Sequence, residues 1–218
     1  MSEREAILGR IREALKMSAP MPEGELAGKD FSKWLPQVGT SFEEWVELFR
    51  TNSNELKTDF QLLDSAAEIG GALEKLRVGN GWRSLASHRD GPDEGALAKL
   101  GLPVLYTDGG YDVNELEACD AGITGCDALV AQTGTVVVTS RSAGGRALSV
   151  LPPHHVVLAR REQLIADLPA AFSLIKKKYA DNYPSMISLV TGPSRTGDIE
   201  RILVLGAHGP KKLTVLLY

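Results

Sequence analysis

From Phe60 onward the chain alternates short apolar runs, rich in β-branched residues, with segments of helical pattern, and that rhythm limits the folds open to it. Phe60–Leu63 reads as a strand, and Ser65-Ala66-Ala67-Glu68 as a capping box opening a helix to about Leu76. Ser84–Ser87 reads as a strand, Asp93–Leu100 as a helix stopped by Gly101, and Pro103–Tyr106 as another strand. Strands separated by helices form a mainly parallel sheet with helices on its faces. The centre then turns β-rich, with runs at Ala121–Thr124, Ala128–Ala131, Thr135–Thr139 and His155–Ala159. An amphipathic helix over Glu162–Lys178 and strands at Ile187–Val190 and Leu213–Leu217 complete an α/β pattern.

The first 58 residues read differently. Residues 3–16 carry Ile7, Leu8, Ile11 and Leu15 on one stripe between charged positions, which is a helix. A Pro- and Gly-containing linker, Ser18 to Gly39, follows. Ser41-Phe42-Glu43-Glu44 is a capping box opening a second helix to about Leu56, with Trp45, Leu48 and Phe49 on its buried face. This arm has too little apolar surface to fold alone, so it needs the main domain or another subunit. The division expected is an arm and linker over 1–58 and a domain over 59–218.

Composition excludes several classes. The 218 residues are 43% hydrophobic, with no run approaching a membrane span and no signal-peptide core behind the charged N-terminus. These features, with only two cysteines, point to a cytoplasmic protein without a disulfide framework. The net charge of −4 is uneven, because the basic residues gather in the C-terminal third. That suits a small anionic ligand or an acidic partner surface, or simply solvated ends at Lys176–Lys178 and Lys211–Lys212. Basic residues are not interleaved with aromatic ones and the pI is about 5.6, so nucleic acid is not an expected partner.

Three segments could carry chemistry. TGPSRTGDIE (191–200) reads as a turn that ends a strand and opens a helix. Gly192 and Pro193 break the strand, and Ser194, Arg195 and Thr196 precede Asp198 with groups suited to a carboxylate or phosphate. LGAHGPKKL (205–213) sets His208 and Gly209 in a rigid loop before the last strand. GITGCDALVAQTGTVVV (122–138) presents Thr124, Gln132 and a tight Thr133-Gly134-Thr135 turn at strand ends, where open α/β sheets bind ligands. A plain hairpin with buried threonines fits that last segment equally. Cys119 and Cys126 match no metal or cluster spacing, and His154 and His155 point to opposite faces of a strand, so no metal centre is expected. No GxSxG, Walker A or GxGxxG element is present.

Taken together and in order, GITGCDALVAQTGTVVV, LPPHHVVLA, TGPSRTGDIE and LGAHGPKKLTVLL resemble the lactate utilization protein C family and its LUD domain. The resemblance spans roughly residues 60–218. It implies a three-layer α/β/α domain similar to the NagB/RpiA/CoA transferase-like superfamily, behind an N-terminal helical arm. It further implies a subunit that oxidises L-lactate to pyruvate with two iron–sulfur partner subunits, those partners holding the clusters and this chain none. On that reading a small anionic or nucleotide-like ligand sits at the sheet's C-terminal edge, where Arg195 pairs with it, Ser194 and Thr133 hydrogen-bond it, and His208 or His155 relays a proton. Thr124, Gly134, Thr135, Gly192, Pro193, Thr196, Asp198 and Gly209 complete the matched positions. The family commonly carries an acidic residue where this chain has Gln132, and glutamine cannot exchange protons as a carboxylate does. The alternatives are a stand-alone transferase or isomerase on a sugar phosphate or acyl-CoA, and a docking scaffold without chemistry of its own.

Overall fold

The computed structural model describes residues 3–17, 35–89, 91, 94–196, 204–206 and 208–218. The chain divides into two compact units, Met1–Leu35 and Pro36–Tyr218. In the first, α1 (Glu3–Ala14) places Glu3 and Glu5 in its opening turn and Arg12 in its last, complementing the helix dipole.

The second unit opens with α2 (Phe42–Leu56), and its capping box forms. The Glu44 N–H donates to Ser41 Oγ at 3.2 Å, and the Ser41 N–H donates to the Glu44 carboxylate at 2.9 Å. Val46 and Phe49 are buried, Phe49 meeting Phe60 edge-on at 5.0 Å. Residue 58 therefore falls inside this unit, with α2 part of its core.

The chain continues through β1 (Asp59–Leu62), α3 (Ile69–Asn80), β2 (Leu85–Ser87), α4 (Glu94–Lys99), β3 (Val104–Tyr106), α5 (Val113–Glu117) and β4 (Ala121–Thr124). There follow β5 (Ala128–Val130), β6 (Thr135–Thr139), β7 (His154–Ala159), β8 (Leu164–Ile165) and α6 (Leu168–Tyr179). β9 (Ile187–Val190), β10 (Arg195–Thr196), β11 (Val204–Leu205) and β12 (Lys212–Leu217) end it.

Three expectations need correction. Ser65 makes no cap bond; Glu68 instead accepts the Asp64 N–H at 3.1 Å, and a 3-10 turn over Ala66–Glu68 precedes α3. The helix expected over Glu162–Lys178 is shortened at its front, because Pro169 has no N–H to give and fits only a first turn. Asp167 caps that turn by accepting from the Ala170 N–H at 2.8 Å, and Leu164–Ile165 joins a sheet. Finally, Arg195 and Thr196, expected in a turn, form a strand pair antiparallel to Leu205 and Val204, and the helix expected to open at Asp198 lies outside the described residues.

Among the described residues the main sheet has six strands in the order β1-β12-β7-β4-β2-β3, and every pairing is parallel. A smaller sheet, β8-β5-β6-β9, is mostly antiparallel. The inner strands β2, β4, β7 and β12 are buried on both faces almost throughout, as their near-continuous apolar runs require. One face carries Leu85, Ile123, Val156, Leu158 and Leu216 against α3 and α4. The other carries Val157, Leu213, Val215 and Leu217 against α2 and the inner face of the smaller sheet. Alternation along β5 turns Leu129 inward and Ala128 and Val130 out to α6. The class is α/β around a mostly parallel sheet, and no helix among the described residues is long and apolar enough to cross a membrane.

Candidate functional site

Because all six strands of the main sheet run the same way, their amino ends share one edge. The Lys211 and Lys212 N–H groups donate to the Pro153 carbonyl at 2.8 and 3.2 Å, locking the start of β12 onto the start of β7. Along this edge lie two adjoining hollows of ≈170 and ≈340 Å³ that share Asn80, His154, Lys211 and Lys212. Trp82 and Asp120 extend the groove one way, and Lys57, Asp59 and Pro193 the other.

His154 is the central group. Its Nε2 lies 2.9 Å from Thr214 Oγ1, and Thr214 donates its single hydroxyl proton to the Asp59 carboxylate at 3.2 Å. Thr214 must then accept from His154 Nε2–H, which leaves the Nδ1 lone pair of a neutral ring without a partner among the described residues. Burial, then the Lys212 charge, pushes its pKa down to about 4 against the pull of Asp59. Trp82 packs edge-on against it at 5.2 Å. Lys212 is oriented by donating to Asn80 Oδ1 at 2.6 Å. Lys57 caps α2 in a left-handed conformation, φ 66°, through N–H bonds to Asn54 and Ser53. The groove thus offers three lysines and a neutral imidazole against two carboxylates, Asp59 and Asp120, that already accept hydrogen bonds from the chain, a net positive set suited to a carboxylate or phosphate.

Most of the motif residues gather behind this groove. The Ser194 N–H donates to the Pro210 carbonyl at 2.9 Å, and Ser194's own carbonyl accepts from Gly206 at 3.0 Å. Those bonds bring the two C-terminal motifs together, with Gly209 packed on Ser194 and Pro193 in the groove wall. Arg195 is exposed, and His208 stands exposed in its turn. Asp198 lies outside the described residues, as does the side chain of Thr196. A hydroxyl ladder runs from Thr133 to Thr135 at 2.7 Å and on to Thr191 at 2.9 Å. Gly134 (φ 62°) and Gly192 (φ 85°) both press on Leu56, so both glycines serve the close approach of α2.

Two expected catalytic residues are placed elsewhere. His155 sits on the opposite face of β7 from His154, fully buried, with Nε2 2.8 Å from Thr124 Oγ1. Burial and then His154 push its pKa down to about 3, so it is neutral and sealed off. Gln132 is also buried; its Nε2 donates to the Pro36 carbonyl at 3.2 Å and its backbone N–H to Ala166. No hydrogen bond among the described residues joins Gln132, His155 and His208. Sequence reasoning passed over His154, Lys57, Asp59, Asn80 and Trp82. Only His154 had left a signal, as one of two adjacent histidines facing opposite sides at the head of a buried strand.

Residues 112–218 match the model of the LUD domain. The lactate utilization protein C of Bacillus subtilis is 33% identical, the match covering all of this chain and 96% of that one. The protein of the same name from Deinococcus radiodurans is 30% identical over 70% of each chain. Among solved structures, a DUF162 family protein from Deinococcus radiodurans superposes with a TM-score of 0.67 at 26% identity, covering 82% of this chain and 99% of that one.

Proposed function

This chain belongs to the lactate utilization protein C family, and from that premise we propose that it serves the oxidation of L-lactate to pyruvate, binding a small anion in the amino-edge groove. The observation that carries the reading is the convergence of separate motifs on one basic groove: Pro193, Lys211 and Lys212 line it with His154. Lys212 and Lys57 fix the anion, and Arg195 joins them from the adjoining hairpin. Neutral His154, its tautomer set by Thr214 and Asp59, forms part of the groove wall, with its unpartnered Nδ1 buried behind the surface.

The electrons released must leave the chain. Its cysteines do not suit a cluster, since Cys119 packs with Ala86, Leu116 and Leu148, whereas Cys126 packs with Leu129 and Val136. Burial raises both thiols above their ordinary range, against the thiolate that iron requires. Two iron–sulfur partner subunits in the cytoplasm supply the acceptor. With Gln132 holding Pro36, the chain lacks the carboxylate of a covalent transferase at that place.

Deleting the gene and growing the host on L-lactate as sole carbon source tests the proposal. Growth should be lost, restored by the wild-type chain, and not restored by the Arg195→Ala/Lys212→Met chain. Undiminished growth of the deletion strain sinks it.

A further inference from the structure

The opposite, carboxyl edge of the main sheet holds another cleft, of ≈260 Å³, whose basic residues lie outside every motif. We propose that this cleft binds a compact oxyanion, carboxylate or phosphate, between Arg160 and Lys178.

Topology puts a cleft there. β2 and β4 are neighbours, but the chain leaving β2 goes to α4 on one face, whereas the chain leaving β4 goes to the smaller sheet on the other. Such a switch point opens a crevice beyond the carboxyl ends of parallel strands. Gly125 and Cys126 follow β4, Arg160 follows β7, Tyr218 follows β12, and all four line the cleft.

The side chains are held as a built site. Gln163 fixes the floor: its Oε1 accepts the Arg160 N–H at 2.7 Å, and its Nε2 donates to the Cys126 carbonyl at 2.5 Å. Arg160 itself is largely free, since its one ion pair, to exposed Glu162, is a loose 3.6 Å. Lys178 is aimed from below. Asp127, with a side chain wholly out of solvent, accepts from Lys178 Nζ at 2.7 Å and from Tyr179 Oη at 2.6 Å. Burial pushes that carboxyl up, but the bonds from Lys178 and Tyr179 outweigh it and keep Asp127 ionised. One ammonium donor is thereby spent and the others remain, on a lysine that is half exposed and lines the cleft. Arg160 and Lys178 both line the cleft together with Cys126. At the back wall His88 is buried, with Nε2 unpartnered among the described residues, directly behind the cleft-lining Gly91. A carboxylate buried only to strut α6 would not need its lysine half out in a cleft beside a second cation held only by a loose surface pair. An anion spanning Arg160 and Lys178 satisfies both.

The inference stands apart from the amino-edge groove and does not rest on it. The test titrates the full chain with L-lactate and, separately, with inorganic phosphate. Calorimetry gives affinity, and the amide resonances of Gly91 and Gly125 report location. At least one probe should bind and shift both glycines, and Arg160→Gln should weaken that binding by about tenfold or more with an unchanged thermal midpoint. Lys178→Met should do the same even if it also lowers the midpoint, while Lys212→Met should leave the glycine shifts intact. Lactate alone binding assigns a carboxylate site, and phosphate alone a phosphoryl site. If neither probe moves the two glycines, or if Arg160→Gln leaves the affinity unaltered, the proposal is overturned.

Discussion

The two edges of the main sheet are built in opposite ways. At the amino edge the chain holds itself by backbone bonds, Lys211 and Lys212 to Pro153 and Ser194 to Pro210, and its central histidine is neutral. At the carboxyl edge the hold is ionic and made by side chains, with buried Asp127 gripping Lys178 and Tyr179. Backbone architecture needs glycine and proline at fixed places and so writes itself into short motifs. Ionic architecture draws single residues from 127, 160, 163 and 178, of which only Asp127 falls within a motif segment.

The largest expected effect separates the edges by pH. His154 and His155 have folded pKa values of about 4 and about 3, below the ordinary 6.5. As pH falls through 6.5 the unfolded chain takes up protons that the native one refuses, so their stabilisation is complete above 6.5 and shrinks below it. The slope is about 1.4 kcal/mol per pH unit for each histidine, down to those folded values. Asp127 is depressed below its ordinary 3.8 and therefore loses its contribution only in stronger acid. Urea unfolding at pH 7, 6 and 5 should show stability dropping steeply below 6.5, and His154→Gln should remove about half of that slope. An unchanged slope would mean that His154 is not held neutral.

A smaller effect distinguishes a motif glycine from an ordinary one. A Cβ on Gly134 would stand 2.9 Å from Asn52 Cβ and 3.0 Å from Leu56 Cδ1, besides occupying a positive φ. Gly101 shares the positive φ, but nothing lies within 4 Å of its Cβ position. Gly134→Ala should cost roughly 2–4 kcal/mol, strain plus overpacking, and Gly101→Ala about 1 kcal/mol, measured by thermal or urea unfolding. Equal costs would show that α2 gives way and that the Thr133-Gly134 turn is not pinned beneath it.

What was legible follows the same division. The α/β class and nearly every strand were readable, because parallel strands buried on both faces show as apolar runs. The Ser41 cap formed because Glu44 reaches back to its N–H, whereas Ser65 failed with the same residue spacing once Glu68 turned to Asp64. Arg195 reads from sequence as part of a turn because its strand partner, Leu205, lies ten residues on, and local composition cannot announce that pairing. His155 fits its motif, yet its side chain faces the inner layer, and only the register of β7 decides which of two adjacent histidines reaches the groove. Lys57 and Asn80 could not be found from sequence, because each is an unremarkable polar residue at a helix end until the strands line up.

The smallest effect concerns Lys57, the one non-glycine residue at positive φ among those described. It ends α2 at a position where glycine is the usual choice, its N–H already donating to Asn54 and Ser53. Lys57→Gly keeps those backbone bonds and removes the Cβ penalty, so stability should rise by about 0.5–1 kcal/mol. The same change deletes one of the groove's ammonium groups, so phosphate titrated at the amino edge should bind several-fold more weakly while the Gly91 and Gly125 resonances stay put. A gain in stability joined to a loss of binding is the mark of a residue kept for its charge. A loss of stability would assign Lys57 to packing and weaken the groove's case relative to the cleft across the sheet.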